Sequence, residues 1–218
     1  MKSQATLPRT LQALLIAGAC ISALARAQAA DPVQVTANNY VRAESDFQMR
    51  GYIENFDSFG KFHHSRKPYD VNNQVTVRGN RDTLYSFGVF DLTSPLTITL
   101  PDTKERYQSL MVVNQDHSLA AAYSPNTITL TQDKVGTRYA LLTIRTFMDP
   151  KDESDVQASH RLQDAVRVEQ ADIGKFEVPN WKKEEVEQMR ATINVVAATV
   201  TDSSKLFGRK EDLDPVYW

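Results

Sequence analysis

The chain has 218 residues, with 25 basic and 27 acidic side chains and a single cysteine, Cys20. This near-balance offers no basic excess to hold nucleic acid or an anionic lipid surface. One cysteine excludes an internal disulfide, so stability has to come from a packed core.

At the start, Lys2 and Arg9 flank the beginning of an apolar run, Leu11 to Ala25, and "ARAQAA" follows with small residues spaced for a signal peptidase. Positive start, apolar middle and small-residue exit predict a secretory signal over residues 1–29, cut after Ala27 or Ala29, and hence a periplasmic or secreted product. An uncleaved anchor is the alternative, but the run falls short of the ~20 residues a spanning helix needs. Lipid attachment at Cys20 is disfavoured, because "AGAC" lacks a large aliphatic residue three positions earlier. Cleavage removes Lys2, Arg9, Arg26 and Cys20, which leaves a mildly acidic, cysteine-free chain with no second apolar segment.

Residues 30–218 are expected to form one domain in three zones. In 30–70, the pattern predicts a helix from Val35 to Phe56, capped by Thr36, with Tyr40, Ala43 and Phe47 on one face and Gly51 weakening its second half. The basic connection "KFHHSRKPYD" follows. In 71–147, "QVTVR", "TLYSFGVFDL", "LTITLP", "RYQSLMVVNQ", "TITLT" and "RYALLTIRTF" read as short strands separated by turn formers, which suggests an antiparallel β-sandwich. In 148–218, two helices are predicted. One starts at Asp149 or at the Ser154–Gln157 capping box and carries Ala158, Leu162, Ala165 and Val166. The other is capped by Asn180 and carries Val186, Met189, Ile193, Val196 and Val200. The fold class is therefore α+β.

Strong catalytic signatures are absent: no Gly-x-Ser-x-Gly, no His-Glu-x-x-His and no phosphate-cradling glycine loop. Three polar groups remain. His63 and His64 are adjacent, so an extended chain points them to opposite sides and they cannot easily chelate one ion. No metal or cofactor is assigned. In "NRDTLY", Asp82 is a candidate general base, with Asn80 and Tyr85 as hydrogen-bonding groups, although Asn and Asp also close turns through backbone amides. "RYQSL" and "NQDH" flank one strand, with Arg106 and Tyr107 at its start and Asp116 and His117 at its end.

The blocks "NNYVRAESD", "GKFHHSRKP", "NRDTLYSFGVFDL", "RYQSLMVVNQDH", "VGTRYALLTIRTFMDP" and "FEVPNW" resemble domain-of-unknown-function family 1254. The resemblance implies an immunoglobulin-like β-sandwich with an N-terminal helix and two C-terminal helices, and carries no established reaction. It directs interest to Asn80, Asp82, Thr83, Tyr85, Arg106 and Tyr107. Proteins of this family usually continue into a second domain, family 1214, whereas this chain stops at "EDLDPVYW".

Two functional expectations follow. The first is an exported binding or accessory module with no catalysis of its own, using Asn80, Asp82, Tyr85, Arg106, Tyr107 and His63 for a small-molecule or protein ligand. A separately encoded second domain or self-association would cover the apolar helix. The second is a hydrolase-type enzyme with Asp82 and His117 or His63 at a shared rim, which requires those side chains to converge.

Overall fold

Alternation of apolar and polar residues makes the strands of the middle zone, and the register between them follows from which faces can be buried. The computed structural model describes residues 31–68, 70, 80–123 and 127–213; the expected signal and the "QVTVR" strand lie outside them. The five-stranded sheet runs β1-β2-β7-β4-β5, built from β1 (His63–His64), β2 (Thr83–Asp91), β4 (Gln108–Asn114), β5 (Leu119–Tyr123) and β7 (Tyr139–Phe147). The three-stranded sheet runs β6-β3-β8, from β3 (Leu96–Thr99), β6 (Thr127–Leu130) and β8 (Arg167–Gln170). The pairings between these eight strands are all antiparallel.

The sheets share one core. Phe90, Leu110, Val112, Leu142 and Ile144 from the inner face of the larger sheet meet Leu96, Ile98, Ile128 and Leu130 from the smaller one. Gly88 serves a close approach: a Cβ there would lie 2.5 Å from the Lys61 carbonyl oxygen, so any side chain would push the 58–61 connection off β2.

Helix α1 (Tyr40–Phe56) passes through Gly51 and ends where Asp57 turns left-handed at φ 49°. Its cap position is Asn39, not Thr36, and its buried face is Ala43, Asp46 and Met49 with Ser45, whereas Phe47 is half-buried. Met49 packs with Val89 and Tyr139 and so covers one half of the larger sheet's outer face. A short α2 (Gln132–Val135) precedes β7. Helix α3 (Glu153–Asp164) is capped by Asp152, whose carboxylate accepts from the Ser154 and Asp155 amides, because Asp149 spends its own carboxylate on the Lys151 amide one turn earlier.

The last zone is not wholly helical. Val166 and Val168 are β-branched and alternate with Arg167 and Glu169, so the chain leaves α3 and pairs with β3, where those two valines pack against the shared core. An irregular segment then leads to α4 (Lys183–Ala197), preceded by Lys182 in the cap position rather than Asn180. Val186 packs with Val35 and Ala43, and Arg190 clasps the Glu44 carboxylate on α1. Further along α4 the apolar positions stay outside: Ile193, Val195 and Val196 are exposed. Among the described residues no helix is long and apolar enough to cross a membrane.

Candidate functional site

The expected site residues divide between the two ends of the larger sheet. Thr83 pairs with Phe147 and Asn114 with Ala140, so Asp82 precedes one end of β7 while His117 follows the other. Seven residues of strand separate those ends, about 20 Å. Asp82 and His117 therefore do not share a site. Asp82 is exposed, and its backbone carbonyl accepts the Met148 amide at 2.8 Å. His117 lies in the β4–β5 turn at φ 58°, beside the Phe207 ring.

Arg106 is engaged by the protein itself. Its guanidinium pairs with the Asp155 carboxylate on α3 and also donates to the Phe147 carbonyl at 2.7 Å and to Ser159 Oγ at 3.0 Å. The side chains of this pair are only 19% and 24% exposed, so Arg106 clamps α3 onto the end of β7.

Four other candidates gather on the larger sheet's outer face or beside it. Tyr85 lies beside Arg145, and the Asn80 amide donates to the Tyr85 hydroxyl at 3.4 Å. Tyr107 is exposed and donates to Ser109 Oγ at 3.0 Å. His63 stacks on Phe87 with ring centroids 5.2 Å apart. Its neighbour His64 points inward, as alternation requires, with Nδ1 2.7 Å from Ser86 Oγ.

Burial, together with Arg66 nearby, drives the His64 imidazole down to about 4. Between its ordinary value of 6.5 and 4 the unfolded chain then binds more protons than the folded one, so stability falls as pH drops through that window. The loss is expected to approach about 3 kcal/mol near pH 4. Denaturation midpoints from pH 7 to 4 should show this component in the wild type and lack it in His64→Gln.

A second constellation centres on a carboxylate that pattern reading misses. Asp46, 1% exposed, accepts from Gln115 Nε2 at 2.5 Å and from Trp181 Nε1 at 2.9 Å. Gln115 is fixed in turn, since its side-chain oxygen accepts the Tyr139 amide and its own amide donates to Thr137 Oγ1. Next to it, Asp116 pairs with Arg42. The blocks "NNYVRAESD", "NQDH" and "FEVPNW", far apart in the chain, thus meet at one point. Burial pushes the Asp46 carboxyl up, against its two hydrogen bonds and the cations Arg42 and Arg50, and burial wins.

Beside this node, α1 and the segment before α4 enclose a cavity of ≈ 360 Å³ lined by Asp46, Phe47, Arg50, Val178, Pro179, Asn180, Trp181 and Lys183. Arg50 lies over the Phe176 ring, 5.6 Å from its centroid. The cavity thus combines two cations, one buried carboxylate and two aromatic walls. The volume is within the range of small-molecule sites. Among the described residues no three His, Cys, Asp or Glu side chains form a metal-ligating group.

A search of curated proteins finds no match. Among solved structures, the crystal structure of the VPA0106 protein from Vibrio parahaemolyticus superposes with a TM-score of 0.58 over 80% of this chain, at 16% sequence identity. That likeness is one of fold, and the chain spans 61% of the length of that structure. The blocks carrying Asp46 and Trp181 lie outside the segment matched by a family model. Over residues 59–129, which run from the approach to β1 into β6, the chain matches the family described as "Protein of unknown function (DUF1254)".

Proposed function

We propose that this chain is an exported small-molecule-binding module with no catalysis of its own, and that its ligand enters the cavity beside Asp46. The observation that carries this reading is the lining. Arg50 and Lys183 supply positive charge, Phe47 and Trp181 supply apolar walls, and Asp46 has both carboxylate oxygens already occupied by protein donors. Such a lining suits a compact anion with a ring attached.

Benzenesulfonate is a fitting probe because its charge does not titrate in the working range. In a Trp218→Phe background Trp181 is the remaining indole, and its fluorescence should change saturably on titration. Arg50→Gln should weaken binding about tenfold. Affinity should rise as pH falls through the raised Asp46 titration, since neutralising that carboxylate removes a like charge. A linear, unsaturable response, or equal affinity in Arg50→Gln, would reject the site.

Export is supported by the charge and apolar pattern of residues 1–29. Expression of the full chain in a Gram-negative host should yield a periplasmic product whose intact mass corresponds to a start at Gln28 or Ala30. A product retaining Met1 in the cytoplasm would refute the export reading.

A further inference from the structure

We propose that the uncovered half of the larger sheet's outer face is a carboxylate-binding site centred on Arg145. Alternation along β7 puts Tyr139, Leu141, Thr143, Arg145 and Phe147 on this face. Its first half is covered, as Tyr139 and Leu141 lie under α1 and Phe176. The last turn of α1 reaches the Phe87 row, where Tyr52 and Phe56 pack edge-on against Phe87 at 4.9 and 4.8 Å. Beyond that row the face is open among the described residues, and Tyr107 and Phe147 are 52% and 41% exposed.

Arg145 occupies the middle of the open half. Register sets Tyr85 directly beside it on β2 and Ser109 directly beside it on β4. The guanidinium lies 5.8 Å from the centroid of the Tyr85 ring. The Tyr107–Ser109 hydroxyl pair stands on the other flank.

Among the described half-buried arginines, Arg42, Arg66, Arg106, Arg138 and Arg190 each hold a carboxylate, whereas Arg145 and the cavity residue Arg50 do not. Arg145 Nε is buried with no hydrogen-bond partner. A half-buried cation with unused donors is costly unless something pairs with it. On the same face, Thr83 Oγ1 is also buried and unpartnered. Two unmet polar groups near one sheet end mark a place organised for a polar guest rather than for packing.

The chemistry of that guest follows from the group that receives it. A guanidinium presents a planar fork of parallel donors that matches the two oxygens of a carboxylate. The hydroxyls of Tyr107 and Ser109 can serve a further oxygen, and the exposed Phe147 ring on the same face offers an apolar surface for an attached ring. The geometry therefore favours a small ring-bearing carboxylate over a neutral ring compound.

The test uses the mature chain and two probes: benzoate and its neutral analogue benzamide. In 1H–15N spectra benzoate should give saturable shifts centred on the amides of residues 85, 109 and 145, and benzamide should give none there. Arg145→Gln should reduce benzoate affinity about tenfold or more, without lowering the melting temperature, since it removes an unpaired charge rather than a structural bond. A lowered melting temperature would instead assign Arg145 a structural role and overturn the proposal. So would equal affinity in Arg145→Gln, equal shifts from benzamide, or no saturable shift in this region. Should the variant fail to fold, the benzoate–benzamide comparison on the wild type decides.

Discussion

Replacing Asp91 by alanine is expected to destabilise the chain by about 3–5 kcal/mol, a fall in melting temperature of about 10 °C. The Asp91 side chain is 0% exposed and is gripped by Arg138 through Nε and Nη2, the latter at 2.8 Å. It also accepts the Thr93 amide at 3.0 Å and the Lys175 amide at 3.4 Å. Alanine would leave the guanidinium and these amides without their acceptor in a buried corner. Gly174, at φ +67°, belongs to the same arrangement, because a Cβ there would lie 2.3 Å from the Asp91 carboxylate. Burial pushes the Asp91 carboxyl up, but the Arg138 and Thr93 bonds outweigh it and hold the group below the usual carboxylate range. The stabilisation is therefore present above the ordinary value of 3.8 and is lost as pH falls below it. Chemical denaturation of Asp91→Ala at pH 7 checks this, and a change under about 1 kcal/mol, the size of an exposed pair, would refute the buried-pair account.

Arg106→Ala is the second large effect expected, about 2–3 kcal/mol at neutral pH. The Arg106 guanidinium holds the Asp155 carboxyl down to about 2. Relative to the ordinary 3.8, the stability gained from this pair is complete above that value and is lost as pH falls from 3.8 towards 2. Arg106→Ala and Asp155→Ala should each destabilise, and the double variant should cost much less than their sum, because one interaction is removed in all three. Additive losses would mean that the two residues act separately. If Arg106 were instead a ligand-binding residue, its loss would change binding and leave the unfolding midpoint in place.

The β-rich centre was legible in the sequence because β3 and β6 alternate, β2, β4 and β7 are short runs rich in apolar and β-branched residues, and turn formers separate them. Strands lacking that signal were not. β1 is two residues long, β5 is "LAAAY" with no alternation, and β8 follows a helical stripe that the eye continues through Ala165 and Val166. The Asp46 node was hidden for a different reason. A carboxylate on the inner face of an amphipathic helix runs against the pattern that locates the face, although Ala43, Asp46 and Met49 are spaced by three. Its partner Trp181 is 135 positions away, a pairing that only the fold can make. Arg106 was singled out by the family resemblance, and its partner Asp155, 49 positions on, is likewise one that only the fold reveals.

The Asp91 corner also bears on function. Arg138 donates to the Lys175 carbonyl and Tyr139 Oη to the same carbonyl at 2.6 Å, so the Asp91 corner anchors the segment that continues to Val178 and Trp181. The cavity wall is thus suspended between that corner and the Asp46 node. Loosening either end should open the cavity as well as weaken the fold.

The most direct measurement is the Trp181 indole resonance in 1H–15N spectra of the mature chain during titration with benzenesulfonate. The account predicts a saturable shift of that indole, accompanied by the amides of Phe47, Arg50 and Lys183 and reduced in Arg50→Gln. A motionless indole with shifts confined elsewhere, or scattered over the surface, would contradict it.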